Sequence, residues 1–162
     1  MNTLVLNAQC STDATLENED RLISEAKDVL YARLRKPGQC LESSDSVRDF
    51  LILELAELER EVFGCLFLDS RNRLIEYRQL FMGTVDSCSV YPREVLKAAL
   101  QTNASAIVLA HNHPSGYAEA SQADIKVTKD LKSILVELDI RVLDHFIVAG
   151  KNTLSFAERG LI

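Results

Sequence analysis

The chain has 162 residues, 47% of them hydrophobic, with 18 basic side chains against 24 acidic ones and a formal net charge of −6. This fits one globular domain with a sizeable core and a small N-terminal addition. No apolar run approaches the roughly 18 residues of a membrane span, and the acidic balance argues against broad binding to nucleic acid, which depends on neutralising phosphates.

Met1 to Ser11 carries no positive charge ahead of its short apolar piece, so it does not read as a signal peptide, and a cytoplasmic protein is expected. The cysteines at 10, 40, 65 and 88 are scattered, with no Cys-x-x-Cys pair for structural zinc or redox chemistry. Reduced thiols are expected. Cys65 falls in an apolar stretch and reads as a core residue. Cys88 lies near turn residues, where exposure is expected and nothing marks it as a nucleophile.

Residues 1–15 show no clear periodicity. Asn18 to Arg35 reads as a helix, with Ile23, Ala26, Leu30 and Leu34 at helical spacing and Pro37-Gly38 as its stop. Its basic end, Arg33-x-Arg35-Lys36, is the best candidate for a local basic patch, but it reads better as a solvated helix terminus that complements the dipole. Ser43-Ser44-Asp45 caps a second helix whose apolar face is Val47, Phe50, Leu51, Leu55 and Leu58. Residues 1–40 are therefore assigned to an N-terminal segment and helix, and residues 41–162 to the main domain.

Glu61 to Leu68 reads as a buried strand, Asp69-Ser70-Arg71-Asn72 as a turn, and Leu74 to Met82 as the returning strand. In the latter, Ile75, Tyr77 and Phe81 fall on one face with Gln79. Ser89 or Tyr91 caps a helix with Pro92 in its first turn, and Val95, Leu96, Ala99 and Leu100 supply its buried face.

Ala106-Ile107-Val108-Leu109-Ala110 then reads as a buried strand leading into Ala110-His111-Asn112-His113-Pro114-Ser115-Gly116. The period of two puts His111 and His113 on one face and Asn112 on the other, before Pro114 and Gly116 end the strand. Ser121 opens a long helix with a core stripe of Val127, Leu131, Ile134, Leu135 and Leu138. Asp124 sits in its first turn. Ile140 to Val148 is a further strand, Gly150-Lys151-Asn152 a turn, and Thr153 to Phe156 a closing strand. His145 shares a face with Leu143 and Ile147, as a hydrogen-bonded core residue or as a group that supports the His111–His113 centre from behind. Asp144 faces the other way. The order ββαβαββ after a helical lead predicts an α/β fold of mixed type, with a mixed sheet flanked by helices.

Two imidazoles and a carboxylate are a ligand set for zinc or another borderline divalent metal. Three protein ligands leave a fourth tetrahedral position for water. A His-x-His pair at a strand end can also be incidental. Asp124 has a second explanation as well, because Ser121 and Asp124 are spaced as a capping box. The two roles are compatible, since a helix terminus is a rigid mount.

His111-x-His113-Pro114, then Ser121 and Asp124, resembles in type and spacing the JAMM motif of the MPN metalloenzymes. The surrounding segments are similar to the RadC family, often called DNA repair protein RadC. They are Leu58-Glu59-Arg60-Glu61-Val62-Phe63, Val90-Tyr91-Pro92-Arg93-Glu94-Val95, Ser121-Gln122-Ala123-Asp124, Arg141-Val142-Leu143-Asp144-His145 and Ser155-Phe156-Ala157-Glu158-Arg159-Gly160. The resemblance covers roughly residues 40 to 162. It implies an MPN fold and zinc bound by His111, His113 and Asp124. It also implies that Ser121 stabilises the oxyanion and that Glu61 takes the proton of the attacking water. Only the match of Glu61-Val62-Phe63-Gly64 to the family's strand opening separates Glu61 from Glu54, Glu57 and Glu59. The two N-terminal helices are too few and too short for the helix-hairpin-helix region of longer RadC proteins, so a short member is expected.

The leading expectation is a zinc-dependent metallohydrolase that cleaves a peptide or isopeptide bond with an activated water. The loops around the motif are short, so an insert built to grip a protein modifier is not expected. One alternative is a DNA-repair-associated nucleic-acid-processing factor, which the charge does not favour; the contiguous His111-Asn112-His113 is not the HNH nuclease motif, whose residues are separated. The other is a non-catalytic MPN interaction module. No Gly-x-Ser-x-Gly elbow supports serine catalysis at Ser115. The expected partner is a peptide or protein substrate.

Overall fold

The computed structural model describes residues 3–35, 44–84 and 88–162, with side chains from residue 16 onward. The expected helix stop at Pro37-Gly38, the Ser43 cap, Lys36, Cys40 and the side chain of Cys10 lie outside that description. The elements run α1 (Thr3–Arg35), α2 (Ser44–Leu55), β1 (Val62–Leu68), β2 (Leu74–Met82), α3 (Pro92–Gln101), β3 (Ala106–Asn112), α4 (Gln122–Val136), β4 (Arg141–Ala149) and β5 (Asn152–Ser155). The fold is α/β of mixed type. One sheet has the order β2-β1-β3-β4-β5, with the β3–β4 pair parallel and the other pairs antiparallel. Parallel pairing follows from α4, which carries the chain back across the sheet between β3 and β4.

The sheet is buried on both sides. β1 and β3 are buried at every position, as their near-continuous apolar runs require. On one side, α1 and α2 cover a core built on Phe50, Leu51, Leu55, Leu66, Val108 and Phe146. On the other, α3 and α4 cover Phe67, Val95, Ile107, Leu109, Leu131 and Leu135. β3 runs through the middle and ends at the second side's open end, where His111 emerges.

Several expectations need correction. Helix α1 begins at Thr3 rather than near Asn18. No Pro or Gly precedes position 37, so nothing breaks the helix even where apolar periodicity is absent. In β2, Tyr77 and Phe81 do not share a face. The register slips between Phe63/Phe81 and Gly64/Gln79, a bulge at Leu80. Tyr77 packs edge-on against Phe50 in the first core, with ring centroids 5.3 Å apart, while Phe81 packs with Phe63 in the second. A second slip, between Ile107/Val142 and Val108/Asp144, puts Leu143 against the first core and leaves His145 on the other face, with Leu109 as its neighbour.

The buried stripes of α3 and α4 also differ from the apolar pattern. In α3 it is Val95, Ala98 and Ala99, and Leu100 is 57% exposed. In α4 it is Asp124, Thr128, Leu131 and Leu135, with Ile134 and Leu138 exposed. The first two positions of the α4 stripe are polar, so a search for apolar residues rotates the face away from the site. Cys65 is fully buried, as expected, and burial pushes its thiol pKa up, which keeps it unreactive. Among the described residues, no helix is long and apolar enough to cross a membrane.

Candidate metal centre

Strand β3 delivers the two histidines. Its strand geometry places His111 opposite Phe63 of β1 and Ile147 of β4. His113 continues the alignment through its backbone N–H, which donates to the Val148 carbonyl at 2.8 Å. Between them Asn112 turns to the other side, as the period of two requires. Its Oδ1 accepts from the Val62 N–H at 2.7 Å, and its amide donates to the Leu58 and Arg60 carbonyls at 3.1 and 3.0 Å. This fixes the segment leading into β1, and with it the position of Glu61.

The chain leaves the strand through Pro114. The Gly116 N–H donates to the His113 carbonyl at 3.0 Å, and Gly116 takes φ +82, a conformation that favours glycine. The turn brings the Tyr117 carbonyl to 2.9 Å from His113 Nδ1. A carbonyl only accepts, so Nδ1 carries the proton and Nε2 of His113 is left with its lone pair.

Helix α4 delivers the carboxylate. Ser121 caps it, with Oγ accepting from the Asp124 N–H at 3.1 Å. The Ser121 N–H donates to Asp124 Oδ2 at 2.8 Å, a complete capping box. Asp124 Oδ1 lies 3.2 Å from His111 Nε2, Oδ2 lies 3.7 Å from His113 Nε2, and the two Nε2 atoms are 3.0 Å apart. Burial would raise the Asp124 pKa, but the His111 ring and the Ser121 donors outweigh it and hold the carboxyl well below the usual carboxylate range. Asp124 is therefore an anion at neutral pH.

His111, His113 and Asp124 thus form a cluster that could hold a metal ion, each offering one ligand atom within 4.8 Å of the others. The donor set fits zinc, which takes imidazole nitrogen and carboxylate oxygen. The capping box fixes the carboxylate that faces the histidines, so the two roles of Asp124 are compatible.

A cavity of about 790 Å³ opens beside this cluster. Glu61 and Ser121 line it, along with Ser115 and an apolar wall of Phe63, Val90, Pro92, Ala123 and Val127. Glu61 stands immediately before β1. Its backbone pairs with Thr84 and Gly83, which extends the hairpin by one step. All five residues expected at the site therefore border one cavity. Lys126 and Asp130, which form an ion pair one helical turn apart, lie at its α4 side.

Two further residues belong to this neighbourhood. Cys88 is half-buried and lines the cavity, rather than exposed as its turn-rich surroundings suggest. Burial, and then the Glu61 charge, raise its pKa and disfavour the thiolate. His145 is fully buried between the Phe63 and Phe156 rings, with Nε2 2.8 Å from His111 Nδ1 and Nδ1 2.7 Å from Thr128 Oγ1. Burial, and then the neighbouring His111, lower its pKa well below the ordinary value, so the ring is neutral. Asp144, on the opposite face, is structural. It accepts from Ser155 Oγ at 2.5 Å and from the Ala157 N–H at 2.9 Å, tying β4 to the closing strand and the turn after it. At the basic end of α1, Arg33 and Arg35 are exposed, and Arg35 stacks over Tyr31.

Comparison with known proteins agrees with this geometry. A family model described as RadC-like JAB domain matches residues 41–161. A UPF0758 protein of Vibrio cholerae is 51% identical over 142 residues, which covers 88% of this chain and 89% of the relative. A UPF0758 protein of Leptothrix cholodnii is 57% identical over 121 residues, 75% of this chain and 54% of the relative. One of Marinomonas sp. is 57% identical over 120 residues, 74% of this chain and 54% of the relative. JAB/MPN domains include metalloenzymes, and the His-His-Asp cluster that could hold a metal lies within the matched residues. The matched segment covers the whole sheet and the candidate metal centre, and the chain belongs to the RadC-like JAB domain family.

Proposed function

We propose that this protein is a zinc-dependent hydrolase of the JAMM type that cleaves an amide bond in a peptide or isopeptide. The observation that carries the reading is the convergence of His111 Nε2, His113 Nε2 and the Asp124 carboxylate beside an open cavity. Three protein ligands leave one tetrahedral position for water or substrate, the catalytic rather than the structural arrangement. Zinc held there would supply Lewis acidity, lowering the pKa of a water to about 7 and polarising the scissile carbonyl.

The remaining steps belong to side chains of this chain. Glu61 takes the proton of the attacking water and passes it to the leaving amine. Ser121 donates its hydroxyl to the carbonyl oxygen as negative charge builds there. In the capping box Ser121 Oγ acts as an acceptor, so its own proton remains available for that task. The apolar wall of the cavity displaces water around the reacting bond and strengthens both interactions.

The test is cleavage of quenched peptides and of isopeptide-linked substrates by zinc-loaded protein. Glu61→Gln should lose about a hundred-fold or more in rate while keeping its zinc. Zinc-loaded protein that cleaves none of these substrates, or that cleaves equally well as Glu61→Gln, contradicts the proposal.

A further inference from the structure

The buried pair Thr128–His145 makes no contact with the cavity, yet it links two of the three candidate ligands. Thr128 Oγ1 lies 2.6 Å from the Asp124 carbonyl oxygen. Two oxygens that close repel unless a proton lies between them, and a carbonyl has none, so the Thr128 hydroxyl donates there. Its only hydrogen is then committed. Oγ1 must accept from His145 Nδ1 at 2.7 Å, which places a proton on that nitrogen.

His145 has 0% exposure, and its ring nitrogens meet a hydroxyl and an imidazole, neither of them an anion. An unpaired charge is costly in such a place, so the ring carries one proton only. His145 Nε2 is therefore a bare acceptor, 2.8 Å from His111 Nδ1, and the proton of that bond comes from His111. The direction of the whole chain follows from one carbonyl. It runs His111 Nδ1–H to His145 Nε2, His145 Nδ1–H to Thr128 Oγ1, and Thr128 O–H to the Asp124 carbonyl. With a cation bound it leaves His111 Nε2 as a lone pair beside His113 Nε2 at 3.0 Å and Asp124 Oδ1 at 3.2 Å; in the metal-free protein the Asp124 carboxylate accepts from that same nitrogen.

We infer that Thr128 and His145 are positioning residues that hold His111 in its Nδ1–H tautomer, aim its Nε2 lone pair at the cation, and lock the first turn of α4 to β3 through β4. The inference rests on the metal-site reading above. It also accounts for the polar start of the α4 stripe and for the bulge in β4, which puts His145 on the face that His111 occupies. Partners of this kind fix ring orientation, and their loss lowers metal affinity about 10–100-fold.

The experiment measures zinc affinity by competition with a chromophoric chelator for wild type, Thr128→Val, Thr128→Ser and His145→Phe. Imidazole ¹⁵N shifts of the zinc-loaded wild type and Thr128→Ser report the tautomers. Thr128→Val keeps the shape of threonine without its hydroxyl, and Thr128→Ser keeps the hydroxyl. The expected result is about a ten-fold or greater loss of affinity in Thr128→Val, recovery to within about two-fold in Thr128→Ser, and a proton on Nδ1 of both His111 and His145. His145→Phe should weaken zinc binding at least as much as Thr128→Val; if it fails to fold, the Val/Ser pair and the tautomers decide the matter. Wild type that binds zinc no more tightly than Thr128→Val, or that carries the His145 proton on Nε2, overturns the inference and leaves the metal site standing. Folded wild type that takes up no zinc overturns both.

Discussion

Asn112 and His111 are consecutive on β3, both buried and both polar, and their surroundings differ in kind. Around Asn112 each hydrogen-bonding atom meets its complement: two carbonyls accept from its amide and one N–H donates to its oxygen. Around His111 Nε2 the neighbours are another ring nitrogen and a carboxylate, which are acceptors. The first arrangement is complete without help and acts as structure, pinning the segment that carries Glu61. The second is balanced only when a proton or a metal ion lies between the acceptors. One strand thus presents a structural joint on one face and a candidate binding site on the other, at consecutive residues. The difference lies in whether donors and acceptors match, not in burial or polarity.

Several substitutions sharpen that comparison. The largest effect is expected on the His111 side. His113→Ala and Asp124→Ala should each abolish zinc uptake, a loss of about a thousand-fold or more in affinity from removing one of three ligands, with metal analysis of gel-filtered protein as the check. On the other face, Asn112→Ala should destabilise the protein by about 2 kcal/mol, because the buried Val62 N–H and two partly buried carbonyls lose their partner. Denaturant unfolding of the metal-free protein would show it, and a change under 1 kcal/mol would remove the joint from the account.

Gly64 supplies a third test, one strand away. A Cβ there would meet the Tyr77 ring at 2.9 Å and the Arg78 carbonyl oxygen at 3.1 Å. The glycine of the Glu61-Val62-Phe63-Gly64 stretch is therefore required by the ring lying over it. Gly64→Ala should cost about 2 kcal/mol through overpacking, read as a lowered thermal midpoint with zinc stoichiometry unchanged. Smallest is Ser121→Ala, which should cost about 1 kcal/mol from the lost helix cap. It should leave zinc bound and lower the cleavage rate.

The candidate metal cluster was readable in the sequence because its members are local: a His-x-His pair on one strand face and a carboxylate in the first turn of the next helix. The order of elements was readable for the same reason, through periodicity within each segment. What could not be read depends on distant partners. The bulges at Leu80 and before Asp144 change which face a residue occupies, and they arise from register against neighbouring strands. His145 has partners 17 and 34 residues away, so its strand shows only a histidine in an apolar run. Cys88 joins the cavity through the fold, with no local pattern to mark it. The exposed Leu100 and Ile134 show the limit of apolar counting: small Ala98 and Ala99 face the sheet in α3, and polar Asp124 and Thr128 do so in α4.

The central claim is that the acceptor cluster of His111, His113 and Asp124 is completed by a metal ion. Metal analysis of protein purified without added metal or a histidine-rich tag tests this most directly, alongside His113→Ala and Asp124→Ala. About one zinc per chain in the wild type, absent from both variants, is the predicted result. Folded wild type that contains no metal, and that fails to take up zinc when it is supplied, would contradict it.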